Sequence, residues 1–209
     1  WMKFAWSRKV WFIAGILVAI AEMMIAWGPL KCFRDTACNY ADGNGSWELD
    51  IAYGNANVCQ KVRPEYSGVL QTLGVVVTAP EGCLHDGYMH LTFSDEQDTV
   101  LYDAQIPYES MNNDSYTYVE IGRQVAKNRM YYLTISLDPT EDGVQPRLRV
   151  CDSVNGVKEN QELLYEDNWS ETQLVNSYEY ADAFIWKKFF RSLLLSVITA
   201  FFIAFPLPR

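Results

Sequence analysis

Residues 70–77 read LQTLGVVV, and residues 88–93 read YMHLTF. The first run is mostly apolar, with Val75, Val76 and Val77 together, as in a central strand buried on both faces. The second alternates Met89, Leu91 and Phe93 against Tyr88, His90 and Thr92, the period of a half-buried strand. Similar patterning predicts strands at Trp47–Tyr53, Val58–Val62, Thr99–Ile106, Tyr116–Ile121, Met130–Leu137 and Arg147–Cys151. Turn chemistry separates them, notably Asp42-Gly43-Asn44-Gly45, Ala79-Pro80-Glu81-Gly82, Asn112-Asn113-Asp114 and Asp138–Gly143. About eight short strands divided by turns predict a mainly β fold, an antiparallel β-sandwich of jelly-roll type. One short amphipathic helical piece is expected at Ile121–Lys127. Beyond Cys151 the pattern loosens.

Apolar runs bracket this region. Val10–Trp27 is about 18 residues long, close to the roughly 20 that cross a bilayer core, and Phe189–Phe205 forms a second run. The resulting division is a basic flank 1–9, a transmembrane helix 10–27, a linker 28–46, and the sandwich 47–151. A loop or further hairpin 152–183 then returns to the membrane, and a second transmembrane helix spans 184–207. Lys3, Arg8 and Lys9 place the start of the first helix in the cytoplasm by the positive-inside rule. Lys187, Lys188 and Arg191 then fall on the outer side, against that rule. A cleaved signal peptide is the rival reading of the N-terminus, and it also exports the middle of the chain. Trp1 is no initiator, although Met2 could be one, and Pro-Leu-Pro-Arg209 closely follows the second run, so the chain reads as truncated and leaves open both further membrane segments and a complete two-span protein.

Charge follows the same division. Segment 28–186 holds 10 of the 17 basic residues and 25 of the 26 acids, 10 − 25 = −15. Nucleic acid, which needs clustered Lys and Arg, is excluded as a partner. The expected partners are the lipid bilayer and, in the exported space, a glycan or other membrane-protein subunits. All five cysteines lie in the exported segment, where Cys32 and Cys38 are the disulfide candidates by proximity. No Cys-x-x-Cys spacing occurs and only His85 and His90 are present, so no metal site and no cofactor are predicted.

No nucleophile elbow, phosphate-cradling loop or His-Glu-x-x-His occurs, and no catalytic residue is assigned. The acid groups Asp95/Glu96/Asp98 and Glu141/Asp142 fall at predicted turns, where carboxylates are ordinarily solvated. Aromatic residues make up 14% of the chain, a surplus that bears on sugar binding through flat stacking. Trp1, Trp6, Trp11, Trp27 and Trp186 lie near helix ends, where interfacial belts account for them. Trp47 and Trp169 remain as ligand-binding candidates, while Tyr116, Tyr118, Tyr131 and Tyr132 read as half core. Glu22 is the one acid within the first run and the intramembrane candidate.

The order AIAEMMIAW, VCQKV, LQTLGVVV, YMHLTFSDEQDTVLYDAQIP, NDSYTYVEIG and NRMYYLTISLDP, spread over residues 8–151, resembles a known arrangement. It is similar to the extracytoplasmic sandwich that follows the first helix of bacterial multi-pass membrane proteins linked to surface polysaccharide assembly or lipid-linked glycosyl transfer. The resemblance implies that Leu73–Val77 and Tyr131–Ile135 are core strands, and it carries over no catalytic residue. Three functions follow as expectations. The first is an extracytoplasmic binding or scaffolding domain. The second is the N-terminal part of a polytopic glycosyltransferase, with Asp35 the acid nearest the first helix exit. The third is a two-span sensor or assembly protein.

Overall fold

The computed structural model describes residues 8–28, 30–31, 33–40, 46–49, 57–79, 85–140, 146–152, 162–165, 168–170 and 172–205. The chain divides into two compact units, Trp1–Asp35 with Asp182–Arg209, and Thr36–Ala181.

The first unit contains helices α1 (Arg8–Trp27) and α2 (Trp186–Ala204). They approach closely: a Cβ added to Gly15 would lie 2.7 Å from the Ala200 carbonyl oxygen. Gly15 therefore permits backbone-to-backbone packing that any side chain would prevent. Trp27, buried Phe33, Phe184 and Phe189 form an aromatic cluster with ring centroids 4.9 to 6.4 Å apart. Arg34 pairs with Asp182 at 2.6 Å, and Lys188 pairs with Asp35.

Among the described residues one helix is long and apolar enough to cross a membrane, Lys9–Trp27, with mean hydropathy 2.1. The second expected span, 184–207, is a helix in the structure but does not meet the same measure. Helix α2 begins at Trp186, so Lys187, Lys188 and Arg191 lie within its first six residues. Only the remainder, from Ser192 onward, is uncharged.

The second unit is mainly β, in two antiparallel sheets. The seven-stranded sheet contains β1 (Arg34–Tyr40), β2 (Trp47–Leu49), β4 (Gly68–Thr78), β7 (Ser115–Val125), β9 (Arg147–Asp152), β12 (Thr172–Leu174) and β13 (Asn176–Phe184). The six-stranded sheet has the order β11 (Asn168–Ser170), β10 (Leu163–Tyr165), β3 (Val58–Val62), β8 (Tyr131–Leu137), β5 (Tyr88–Asp95), β6 (Val100–Pro107). Strand β4 pairs with β13, β7 and β9, and its residues Leu73–Thr78 are buried without alternation. Strands β3 and β8 alternate strictly between buried and half-buried residues. Leu73, Val75, Val77, Leu91, Phe93, Leu133 and Ile135, the expected core, are at most 1% exposed. Gln60 of β3 is also fully buried, and its side-chain oxygen accepts the Leu174 amide of β12 at 2.7 Å, joining the two sheets.

Two local expectations are revised, and a third is made specific. Residues 121–125 continue strand β7 instead of forming a helix. Gly122, at φ +63°, makes a bulge opposite β4, where the register shifts between Leu70 and Thr72. The stretch read as a linker contains β1. The stretch read as a returning loop or hairpin contains the hairpin β10–β11, together with β12 and β13.

Candidate functional site: an aromatic face on the seven-stranded sheet

Neighbouring residues on β7, β4 and β13 define one face of the seven-stranded sheet. In register, Glu120 lies beside Thr72 and Glu179, and the next rung places Tyr118 beside Gly74 and Ser177. The following rung begins with Tyr116 and Val76, against which Val175 packs. Tyr118 is 60% exposed, and its strand neighbour is a glycine. A Cβ on Gly74 would lie 2.9 Å from Tyr118 Cε1 and 3.2 Å from Tyr116 Cδ1, so both rings occupy the space above the bare backbone. The two rings are 5.8 Å apart and inclined by 32°. Tyr116 is held from below by buried Val76, Cys151 and Val175. The phenol of Tyr118 has no protein hydrogen bond among the described residues.

The rung beyond Tyr116 opens into a cleft of about 300 Å³ lined by Ser46, Val76, Asp114, Ser115, Tyr116, Arg149 and Val175. Arg149 Nη2 meets Asp114 Oδ1 at 2.6 Å, and Nη1 lies 3.5 Å from Ser46 Oγ. Asp114 reaches this position from a tightly fixed turn. Asn113 exchanges two side-chain hydrogen bonds of 2.9 Å with the Ala79 backbone, and Asn112 holds the Tyr116 carbonyl at 3.1 Å. Asp114 itself adopts φ +56°, a left-handed conformation that Asp tolerates better than most residues. Its amide donates to the Val77 carbonyl at 3.0 Å.

The residues singled out from sequence lie elsewhere. Trp47, on β2, is 39% exposed and sits opposite Val150. Trp169, on β11 of the other sheet, is 43% exposed. One face of its ring is covered by Lys61, whose Nζ is 4.0 Å from the ring centroid and also 2.5 Å from Glu162. No described contact brings the two tryptophans together. Glu22 is half-buried on α1. Cys38 is exposed and forms no disulfide with a described residue, while Cys32 lies outside the described residues. Asp35 is engaged by Lys188.

Of the acid groups, Asp95 turns back on its own hairpin. Its Oδ1 accepts the Thr99 and Gln97 amides, each at 2.9 Å, and these bonds hold its carboxyl below the usual range. Glu141 and Asp142 lie outside the described residues. No group of three His, Cys, Asp or Glu among the described residues is arranged to hold a metal.

A second cleft, of about 610 Å³, is lined by Asp86, Gly87, Tyr88, Pro107, Glu109, Asp138 and Pro139. His90 Nε2 lies 3.0 Å from Asp138 Oδ1, and Ser136 stands opposite His90 in the ladder. Among the described residues the Ser136 hydroxyl has no hydrogen bond to the imidazole.

No protein-family model and no curated protein matches the chain. Among solved structures, a clostridial cysteine protease after propeptide cleavage aligns at TM-score 0.47 and 8% identity, covering 70% of this chain and 40% of that one. A xylanase from Cellvibrio japonicus in complex with xylopentaose aligns at TM-score 0.33 and 8% identity, covering 65% of this chain and 28% of that one. The chain spans less than half of either protein, and likenesses this distant carry no argument about function.

Sequence reasoning missed Tyr118. Alternation along Tyr116–Ile121 assigns residues to two faces, but it does not say which face stays uncovered. The available signal was Gly74 within an otherwise bulky strand, since a strand glycine often marks close approach by another group.

Proposed function

We propose that this chain is a membrane-tethered, extracytoplasmic binding domain that takes a glycan on the Tyr118–Tyr116 face, in bacterial cell-envelope polysaccharide assembly. The observation that carries this reading is the exposed Tyr118 ring and the half-buried Tyr116 ring laid across Gly74 beside a cleft that holds Arg149 and Asp114. Sugar rings present flat apolar C–H faces that stack on aromatic rings, with hydroxyls at their rims that need hydrogen-bonding partners. In this reading the two sheets pack face to face as a jelly-roll sandwich, supported by the Gln60–Leu174 hydrogen bond. Helix α1 is the tether, on the strength of its hydropathy and its Lys9 flank. The resemblance to the outer domains of polysaccharide-assembly proteins favours the same assignment. The test is calorimetric titration of the detergent-solubilised chain with cell-envelope oligosaccharides, alongside Tyr118→Ala. Saturable binding lost in the variant supports the reading. Binding equal in both proteins moves any glycan site off this face.

A further inference from the structure

The charge arrangement around the cleft carries the reading to a ligand class. Both arginines at the cleft end of this face are already paired with acids, Arg149 with Asp114 at 2.6 Å and Arg147 with Glu48 at 3.0 Å, while Arg123, further along β7, donates to the Leu101 carbonyl at 2.6 Å. At the other end of the tyrosine row stand Glu120 and Glu179, the latter accepting the Thr72 hydroxyl at 3.1 Å. The surrounding segment 28–186 carries 10 − 25 = −15. A polyanionic ligand would meet acids at one end and a neutralised guanidinium at the other.

From this we infer that the ligand is an uncharged oligosaccharide and that the Arg149–Asp114 pair is its specificity determinant, an inference that rests on the glycan reading above. An ion pair at a cleft wall presents guanidinium donors and a carboxylate acceptor side by side. Two adjacent sugar hydroxyls need that combination, because each hydroxyl both donates and accepts. Asp114 is suited to the acceptor role: its side chain is 62% exposed, so its oxygens can reach a ligand while Oδ1 keeps Arg149. The guanidinium is more enclosed, 29% exposed, and Ser46 borders it. One ring stacks on Tyr118, and the next is directed along β7 over Tyr116 into the cleft. The footprint is therefore at least two sugar units.

The assignment predicts how selectivity responds to charge. Asp114→Asn leaves Arg149 uncompensated and converts the cleft from neutral to cationic. The probes are a neutral hexose oligosaccharide and its uronate counterpart of equal length, titrated into the full chain in detergent. Wild type is expected to prefer the neutral glycan. Asp114→Asn is expected to weaken neutral binding about tenfold or more and to narrow or invert the preference. Tyr118→Ala should weaken both probes alike. Wild type preferring the uronate, or a neutral-to-acidic ratio unchanged in Asp114→Asn, overturns this inference and leaves glycan binding intact. Absence of binding to either probe overturns the glycan reading itself. Should Asp114→Asn fail to fold, a salt titration of wild type decides. Affinity flat between about 50 mM and about 500 mM salt supports a neutral ligand, and a steep fall contradicts it.

Discussion

Gly74 and Tyr118 stand opposite each other on β4 and β7, and the tyrosine ring fills the space that a side chain at 74 would take. The exposed ring can move aside, so Gly74→Ala should change binding far more than folding. The expected result is a melting temperature within a few degrees of wild type with glycan affinity reduced about as far as in Tyr118→Ala. Unchanged affinity would mean that the position of the ring does not matter.

Leu133 lies between Gln60 and Phe93 in the ladder and is fully buried. Leu133→Ala should cost roughly 2–5 kcal/mol, measured by denaturant unfolding. Val100, 57% exposed on β6, provides the contrast, since Val100→Ala should fall within about 0.5 kcal/mol. Equal effects at the two positions would contradict the burial assignment.

The turn between β5 and β6 should depend on acid. The Thr99 amide foremost, and then the Gln97 amide, favour the charged form of Asp95 and depress its pKa. A carboxyl depressed on folding contributes stability that is present above its unfolded value of about 3.9 and is lost as pH falls through the folded one. Amide resonances of Gln97 and Thr99 should therefore shift below about pH 4. In Asp95→Asn that shift should vanish, because the amide oxygen still accepts but no longer titrates.

Three buried tyrosines are expected to resist ionisation until the fold opens at alkaline pH. Burial pushes the Tyr108, Tyr178 and Tyr180 phenols up, most strongly for the fully enclosed Tyr178. Protonated phenols raised in this way contribute stability that is complete below about pH 10 and lost as pH climbs towards their folded values. Phenolate absorbance from these residues should appear together with loss of the strand circular dichroism signal. Smooth ionisation of all 13 tyrosines in a folded protein would contradict it.

Membrane orientation can be read at Cys38, the exposed cysteine of β1. An impermeant maleimide applied to intact cells should label it, whereas buried Cys151 should react only after unfolding. Labelling of Cys38 that requires permeabilised cells would reverse the proposed topology.

Strands that carry their own pattern were legible in the sequence. Val58–Val62 is predicted and observed with identical limits, and Leu70–Val77 extends by only two residues before and one after. What escaped depends on distant partners. Thr172–Leu174 and Asn176–Phe184 have weak local signals, and become strands because β9 and β4 offer them open edges. Residues 121–125 looked helical because the bulge at Gly122 interrupts their period of two. The helix expected at 184–207 is observed at Trp186–Ala204, so its limits were visible in the sequence. Lys187, Lys188 and Arg191 lay inside that expected helix from the start, and their weight against its apolar remainder was what the sequence did not decide.

Gln60 reaches beyond its own sheet to the amide of Leu174. A strand of three residues has few ladder bonds to fix its alignment, and sliding by two would keep the same side chains facing inward. The Gln60 oxygen accepts one particular amide, so it acts as a stop against that slide. Gln60→Leu should leave total strand content nearly unchanged while letting residues 172–174 take more than one alignment along β9. Val175, which immediately follows, would move with them. A buried residue on the far sheet thus sets how steadily the cleft beside Tyr116 keeps its shape.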